Sequence, residues 1–273
     1  MAQIRVGMAQ LLVEPGHPDA NLARAVGAVA DAAAAGCGVV VLPECLDLGW
    51  MHASARTLAE PVPGPRVAAL AGAAAEAGVH VAAGLVERGT GGEAGRVFNA
   101  AVLLGPDGSL LAHHRKISEL EIALRLYTPG TSLAVTTTAL GAVGLDVCAD
   151  NLPASLSLGR ALGQMGAQVV LSPSAWAVPP DHDEAADPYG GLWLGAYRAL
   201  ATEYRMPVVG VSNVGPVVGG DWDGWRCIGR SLAVGLDGQV LAQGPYDAEA
   251  LVVVDVPLRG DEVPAPVRAA RRG

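Results

Sequence analysis

Short apolar runs of strand character alternate with alanine-rich helical segments that end on glycine. That alternation restricts the chain to folds in which strands lie side by side under helices. Ile4 to Gln10 reads as a strand, Asp19 to Ala35 as a helix closed by Gly36, and Val39 to Leu42 as a buried strand. Together they form a βαβ unit, because parallel strands need a long crossover. Pro65 to Ala77, ended by Gly78, gives a second helix, and Val79 to Val86 the next strand. Val97 to Leu104 and Ser109 to His114 flank Gly105-Pro106-Asp107-Gly108. Pro, Asp and Gly supply the fixed and positive φ values of a tight reversal, so this segment is a β-hairpin.

The same succession then starts again. Val143 to Cys148 is a strand, Ala154 to Met165 a helix ended by Gly166, and Gln168 to Leu171 a strand. Tyr189 to Arg205 is a long helix leading into the strand Val208 to Ser212, and Ser231 to Leu241 is a hairpin around Leu236-Asp237-Gly238. Val252 to Val256 is the last strand. The run from Leu104 to Ala112 matches that from Val234 to Ala242 in pattern, an internal pseudo-repeat. Halves of this kind stack two mixed sheets face to face with helices over the outer faces, giving an α/β four-layer αββα sandwich. Residues 1–260 are expected to form this single domain. Residues 261–273, where Arg268, Arg271 and Arg272 stand among prolines without periodicity, are expected to form a C-terminal arm or tail.

Composition narrows the partners. With 51% hydrophobic and 16% charged residues the chain has the material for a sizeable core, and its formal charge of −9 repels phosphate backbones, so nucleic acid is not an expected partner. The most apolar stretches, such as Val39 to Pro43, are far shorter than the roughly 20 residues that cross a bilayer, so no membrane partner is expected. Met1 to Gln10 lacks the pattern of a secretory signal, and a cytoplasmic location is expected. Cys37, Cys45, Cys148 and Cys227 are scattered without the close pairing of a zinc site or the density of a disulfide scaffold, as free thiols in a reducing compartment would be.

Three polar residues stand where strands end. Glu44 follows Val39-Val40-Val41-Leu42-Pro43, Lys116 follows the first hairpin, and Cys148 closes Val143 to Val147. Ligands of α/β sheets bind beyond the carboxyl ends of strands, where loops place side chains on a rigid floor. Together the three supply a thiol nucleophile, a carboxylate to take its proton and a cation for developing oxyanion charge, a complete set for acyl transfer.

At these residues the sequence resembles the nitrilase superfamily of carbon–nitrogen hydrolases. The resemblance rests on Leu42-Pro43-Glu44, His114-Arg115-Lys116-Ile117 and Gly144-Leu145-Asp146-Val147-Cys148-Ala149-Asp150, in the family's order and rough spacing. It implies a nitrilase-like sandwich whose dimers join into larger assemblies, so a homodimer or higher homo-oligomer is expected. It also implies a Glu-Lys-Cys triad needing neither metal nor cofactor, with Glu44 as general base, Lys116 as oxyanion stabiliser and Cys148 as nucleophile. A neighbouring ammonium is expected to favour the Cys148 thiolate. Family members commonly carry a second glutamate between the lysine and cysteine motifs, for which Glu119 and Glu121 are the candidates, Glu119 preferred.

After the cysteine the chain departs from many relatives, with Asn151-Leu152-Pro153 in place of an arginine-containing run. Relatives that hydrolyse carbamoyl amino acids grip the substrate carboxylate with that arginine, and Leu152 stands near its place, so a neutral or differently anchored substrate, hydrogen-bonded by Asn151, is expected instead. Of the tryptophans beside predicted loops, Trp176 and Trp50 are expected to contact substrate. Asp181-His182-Asp183-Glu184 has the residue types of a hard-metal cluster but reads as a solvated loop over the pocket. His113 and His114, adjacent in a strand, should face opposite ways. The expected activity is cleavage of a small non-peptide C–N bond, in an amide or an N-carbamoyl compound, through a Cys148 thioester. The alternatives are a nitrilase acting on a small nitrile and a catalytically silent binding or scaffold protein.

Overall fold

Alternating burial within the central strands sets the layering. Val39 and Val41 join the core between two sheets, while Val40 packs under helices on the other face. The same split separates Ala82 from Val81 and Ala83, and Ala101 and Leu103 from Val102 and Leu104. Successive residues of a strand point to opposite faces, so a strand apolar on both must be covered on both.

The computed structural model describes residues 2–260. In chain order its first half comprises β1 (Gln3–Gln10), α1 (Pro18–Ala34), β2 (Val39–Val41), α2 (Ala55–Leu58), α3 (Pro65–Ala77), β3 (His80–Arg88), β4 (Val97–Leu104) and β5 (Leu110–Arg115). The second half comprises β6 (Val135–Thr138), β7 (Gly141–Leu145), α4 (Leu156–Gln164), β8 (Val169–Ser174), β9 (Ala177–Val178), α5 (Gly191–Tyr204), β10 (Val208–Ser212), β11 (Val214–Pro216), β12 (Arg226–Ile228), β13 (Leu232–Val234), β14 (Val240–Gln243) and β15 (Ala250–Pro257). The expected C-terminal arm lies outside the described residues.

Two six-stranded sheets form, in the orders β15-β1-β2-β3-β4-β5 and β14-β13-β10-β8-β7-β6. From β15 the first sheet pairs antiparallel, parallel, parallel, antiparallel, antiparallel. The second repeats this sequence from β6. The likeness extends to the hairpins, whose registers shift at Leu103/Leu104 and at Ala233/Val234. In both turns an aspartate Oδ1, of Asp107 or Asp237, accepts the N–H two residues on at 3.0 Å. The pseudo-repeat is thus a real two-part architecture. Helices α1 and α3 cover the outer face of the first sheet, and α4 and α5 that of the second. This is the expected αββα sandwich.

The structure adds what apolar periodicity does not register. Thr-rich β6 forms an edge, and β11-β12-β9 make a small third sheet. The strand expected to reach Cys148 stops at Leu145, and α4 starts two residues later than expected, after a 3-10 turn at Pro153–Ser155.

One glycine decides where the segment after β2 can lie. Gly84 donates to Pro43 O at 3.0 Å, and a Cβ there would stand 2.5 Å from the Glu44 Cα, so only glycine admits this approach. Gly72, exposed within α3, has nothing within 4 Å of an added Cβ. Urea denaturation should therefore show Gly84→Ala less stable by about 1–3 kcal/mol, and Gly72→Ala more stable by about 0.5–1 kcal/mol. Equal effects at both positions would refute the close-approach argument.

Candidate active site

Strand ends from both sheets meet at one point. Beyond β2 the Leu42 N–H still donates to Ala82 O, but Pro43 has no N–H, and Glu44 turns toward the second sheet, where its N–H donates to Ser174 O at 3.1 Å. Lys116 follows β5 directly. Its N–H donates to Asn99 O at 2.8 Å and its carbonyl accepts the Gly130 N–H at 2.7 Å, so the backbone is held on both sides. Cys148 opens the 3-10 turn Cys148–Asn151 with φ of 45°. A residue carrying a Cβ takes this left-handed conformation only where its surroundings impose it.

What imposes it is a buried carboxylate. Asp150 Oδ1 accepts the N–H groups of Ile117 at 3.1 Å and Ser118 at 2.7 Å, while Oδ2 accepts the Val147 N–H at 3.2 Å and lies 2.9 Å from His114 Nε2. One side chain thereby ties the segment bearing Lys116 to the turn bearing Cys148. His113 faces the other way, toward Glu87 at 2.8 Å.

At the centre, Lys116 Nζ donates to Glu44 Oε1 at 2.7 Å, with both side chains only 1% exposed. Asn99 Nδ2 donates to the same oxygen at 2.6 Å. Glu44 Oε2 is buried and has no hydrogen-bond partner among the described residues, and the Cys148 thiol faces this carboxylate. Glu119, its side chain wholly buried, brings Oε2 to 3.8 Å from Nζ.

These neighbours set the protonation states. Burial opposes the charge on Lys116, but Glu44, Glu119 and Cys148 around it carry its pKa well above the usual lysine value. Burial pushes the Glu119 carboxyl up to about 8 against the pull of Lys116, with the charges of Glu44 and Asp150 adding to the rise. It therefore holds its proton at neutral pH. The Cys148 thiol is raised well above its ordinary range, first by burial and then by the negative charge of Glu44, which together outweigh Lys116 and the Ala175 N–H. Lys116 favours the thiolate, as expected, but burial and Glu44 outweigh it, so the thiol keeps its proton beside the Glu44 carboxylate.

The three groups open into a cavity of about 200 Å³. Its walls are mostly apolar, with Trp50, Leu152, Tyr189, Leu192, Trp193 and Trp222 prominent among them. Trp50 and Trp222 meet at 5.1 Å between ring centroids. Three of the expected site residues lie elsewhere. Asn151 is fully buried and gives its Nδ2 to Asp146 Oδ1 at 2.8 Å and Ser172 Oγ at 3.1 Å, so it braces the cysteine turn from behind. Trp176 is 1% exposed and stacks at 5.1 Å on Trp193, which takes the place at the wall. Glu121 is exposed at the start of a 3-10 turn. Within the acidic loop, Glu184 pairs with Arg230 and His182 and accepts the Tyr189 N–H at 2.9 Å, which seats Tyr189 at the cavity.

Asn99 and Asp150 were missed as parts of the site. Asn99 signals itself as an amide inside the otherwise apolar run Val97 to Leu104, and Asp150 closes the cysteine motif itself.

The sequence profile of the carbon–nitrogen hydrolase family matches residues 5–260. The omega-amidase of Xenopus tropicalis is 30% identical over 216 residues, covering 75% of this chain and 76% of that protein. The omega-amidase of Homo sapiens is 27% identical over 270 residues, covering 95% and 90%. Among solved structures, an amidase from Nesterenkonia sp. superposes with a TM-score of 0.78 at 25% identity, covering 97% of this chain and 93% of that one. A mutant of the Nesterenkonia sp. AN1 amidase, carrying acrylamide added at its active-site cysteine, gives 0.77 at 25% identity with 93% of each chain covered. With the family profile spanning almost the whole chain and the same sandwich in those structures, the chain belongs to the nitrilase superfamily and is a carbon–nitrogen hydrolase.

Proposed function

We propose that residues 1–260 act as one amidase domain that cleaves a small amide through a thioester on Cys148. The observation that carries this reading is the division of labour on Glu44: Oε1 is engaged by Lys116 and Asn99, Oε2 is buried without a partner among the described residues, and the carboxylate is near enough to the Cys148 thiol to raise its pKa. The amidase names of the relatives, and the acrylamide adduct on the cysteine of one of them, support it.

In this mechanism the Cys148 sulfur attacks the amide carbon as its proton passes to Glu44 Oε2. The carbonyl oxygen becomes an oxyanion held by Lys116 Nζ and the Ala149 backbone N–H. Collapse breaks the C–N bond, and the departing nitrogen takes the proton from Glu44 and leaves as ammonia. Water then gives its proton to Glu44 and attacks the thioester. The second adduct expels sulfur, which regains the proton, and the acid is released. Concerted proton transfer suits a thiol that burial keeps protonated. Fixed donors around the oxyanion need no reorganisation at the moment of reaction.

Two measurements test these roles. Glu44→Gln retains the side-chain shape and an acceptor for Lys116 but removes the base, so kcat should fall at least about 100-fold with an unchanged circular dichroism spectrum. A loss below about tenfold would remove Glu44 as the proton acceptor. Matched amide and nitrile pairs belong in the same assay, because faster turnover of the nitriles would make the reaction nitrile hydrolysis.

Glu119 makes the pH dependence specific. Neutral below about 8, it leaves Glu44 as the single negative partner of Lys116, and ionisation above that value quenches the oxyanion-binding charge. The kcat profile should fall through pH 8, and Glu119→Gln should lose that limb. Its folded pKa lies above the unfolded one, so its contribution to stability is complete below the unfolded value and is lost as pH rises toward about 8. Stability of Glu119→Gln should accordingly be flatter over this window. A limb that persists unchanged in the variant would assign it to another group.

A further inference from the structure

We propose that Tyr189 is a specificity-determining residue: its hydroxyl donates a hydrogen bond to an acceptor oxygen on the acyl chain of the substrate, so that the favoured amide carries such an oxygen beyond its carbonyl. This rests on the thioester reading above and adds to it the group that selects the acyl chain.

The argument starts from what the hydroxyl has left to give. A phenol has one proton to donate and lone pairs with which to accept. Tyr189 lines the Cys148 cavity, and its Oη accepts the Trp193 Nε1–H at 3.1 Å. Its own O–H has no acceptor among the described residues. An unused donor in a mostly apolar wall is unfavourable, and buried phenols take a partner. Accepting the indole N–H polarises the O–H and strengthens it as a donor. Burial raises the phenol pKa above the ordinary tyrosine range; the bond from Trp193 opposes the rise, and the charges of Cys148 and Cys227 add to it. The proton is therefore in place at neutral pH, within electrostatic range of the nucleophile.

The scissile amide offers this donor nothing. Its carbonyl oxygen is taken by Lys116 Nζ and the Ala149 N–H in the proposed mechanism, and its nitrogen donates rather than accepts because the lone pair is delocalised into the carbonyl. An acceptor for Tyr189 must then come from the acyl chain.

The donor is also fixed before any substrate arrives. The Tyr189 N–H donates to Glu184 Oε2 at 2.9 Å, and Glu184 is itself tied to Arg230 and His182. The His182 ring meets the Tyr189 ring edge-on, with centroids 6.3 Å apart. Trp193, which holds Oη, is backed by the buried Trp176 at 5.1 Å. Neither the acidic loop at Glu184 nor Trp176 lines the cavity, so both act on it through Tyr189 and Trp193. A donor held in this way needs little ordering on binding and discriminates against chains that leave it unpaired.

The test measures kcat/KM for ammonia release by the full chain, using ether amides and the alkyl amides of the same shape. The pairs are methoxyacetamide with butyramide, β-methoxypropionamide with pentanamide and γ-methoxybutyramide with hexanamide. Each ratio is divided by the corresponding ratio for hydrolysis by hydroxide, which removes the inductive effect of the ether oxygen. In at least one pair the ether should be favoured by about tenfold or more, and in Tyr189→Phe, with folding verified by circular dichroism, that preference should shrink to about twofold or less. If Tyr189→Phe does not fold, Glu184→Gln decides in its place, because it loosens the seat of the phenol and should lower the preference by about threefold or more. No favoured ether in the native protein would overturn the inference and leave the hydrolase mechanism standing. A preference that survives in the folded variant would do the same, as would equal losses for ether and alkyl amides, which would make Tyr189 a support for Trp193 alone. Failure to cleave any amide would remove the mechanism, and the inference with it.

Discussion

The contact between Lys116 Nζ and Glu44 Oε1, 2.7 Å long and almost wholly removed from water, is the constraint around which the rest of this structure is arranged. Burying two charges is unfavourable unless they are paired and their remaining hydrogen-bonding capacity is met. Asn99 meets part of it, Glu119 adds a protonated carboxyl beside the ammonium, and the backbones of Glu44 and Lys116 are fixed by bonds to Ser174 and to Asn99 and Gly130. What is left over is a single carboxylate oxygen, the one to which the proposed mechanism passes the thiol proton. The arrangement that makes the pair tolerable in the interior thus also leaves one carboxylate oxygen without a partner among the described residues.

Placement of this pair depends on the two-part sandwich. Glu44 and Lys116 follow strands of one sheet and Cys148 a strand of the other, so the charged centre exists only where the sheets are stacked. Asp150 is the rivet between them. By accepting N–H groups from Val147 on one side and Ile117 and Ser118 on the other, it holds the left-handed turn of Cys148 against the lysine segment. Four hydrogen-bonding neighbours on one buried carboxylate are what a strained residue requires if it is to stay in place.

Much of this was legible in the sequence where punctuation is strong. The helix Pro65–Ala77, bounded by Gly64-Pro65 and a left-handed Gly78, and the strands Val97–Leu104 and Val208–Ser212 appear at their expected residues. Strand ends also marked Glu44, Lys116 and Cys148 as polar residues after apolar runs. The pocket wall was less legible, because Trp50, the Tyr189 and Trp193 pair, and Trp222 come from three separate segments whose facing depends on tertiary packing. Trp176 shows the difficulty: it lies beside the right loop but is covered by Trp193. Asn151 is next to the right turn, yet the 3-10 geometry directs it to Asp146 and Ser172. Neither a two-residue strand such as β9 nor a 3-10 turn leaves a periodic signature long enough to read.

The proposed mechanism passes through a covalent intermediate common to all acyl donors, and partitioning with an added nucleophile tests it most directly. Butyramide and methyl butyrate would be turned over in the presence of hydroxylamine, and the ratio of hydroxamate to acid measured for each. If both donors pass through the same Cys148 thioester, the ratio is identical for the two and depends only on hydroxylamine concentration. A ratio that changes with the leaving group would mean that water and hydroxylamine meet the substrate itself, and the thioester account would be contradicted.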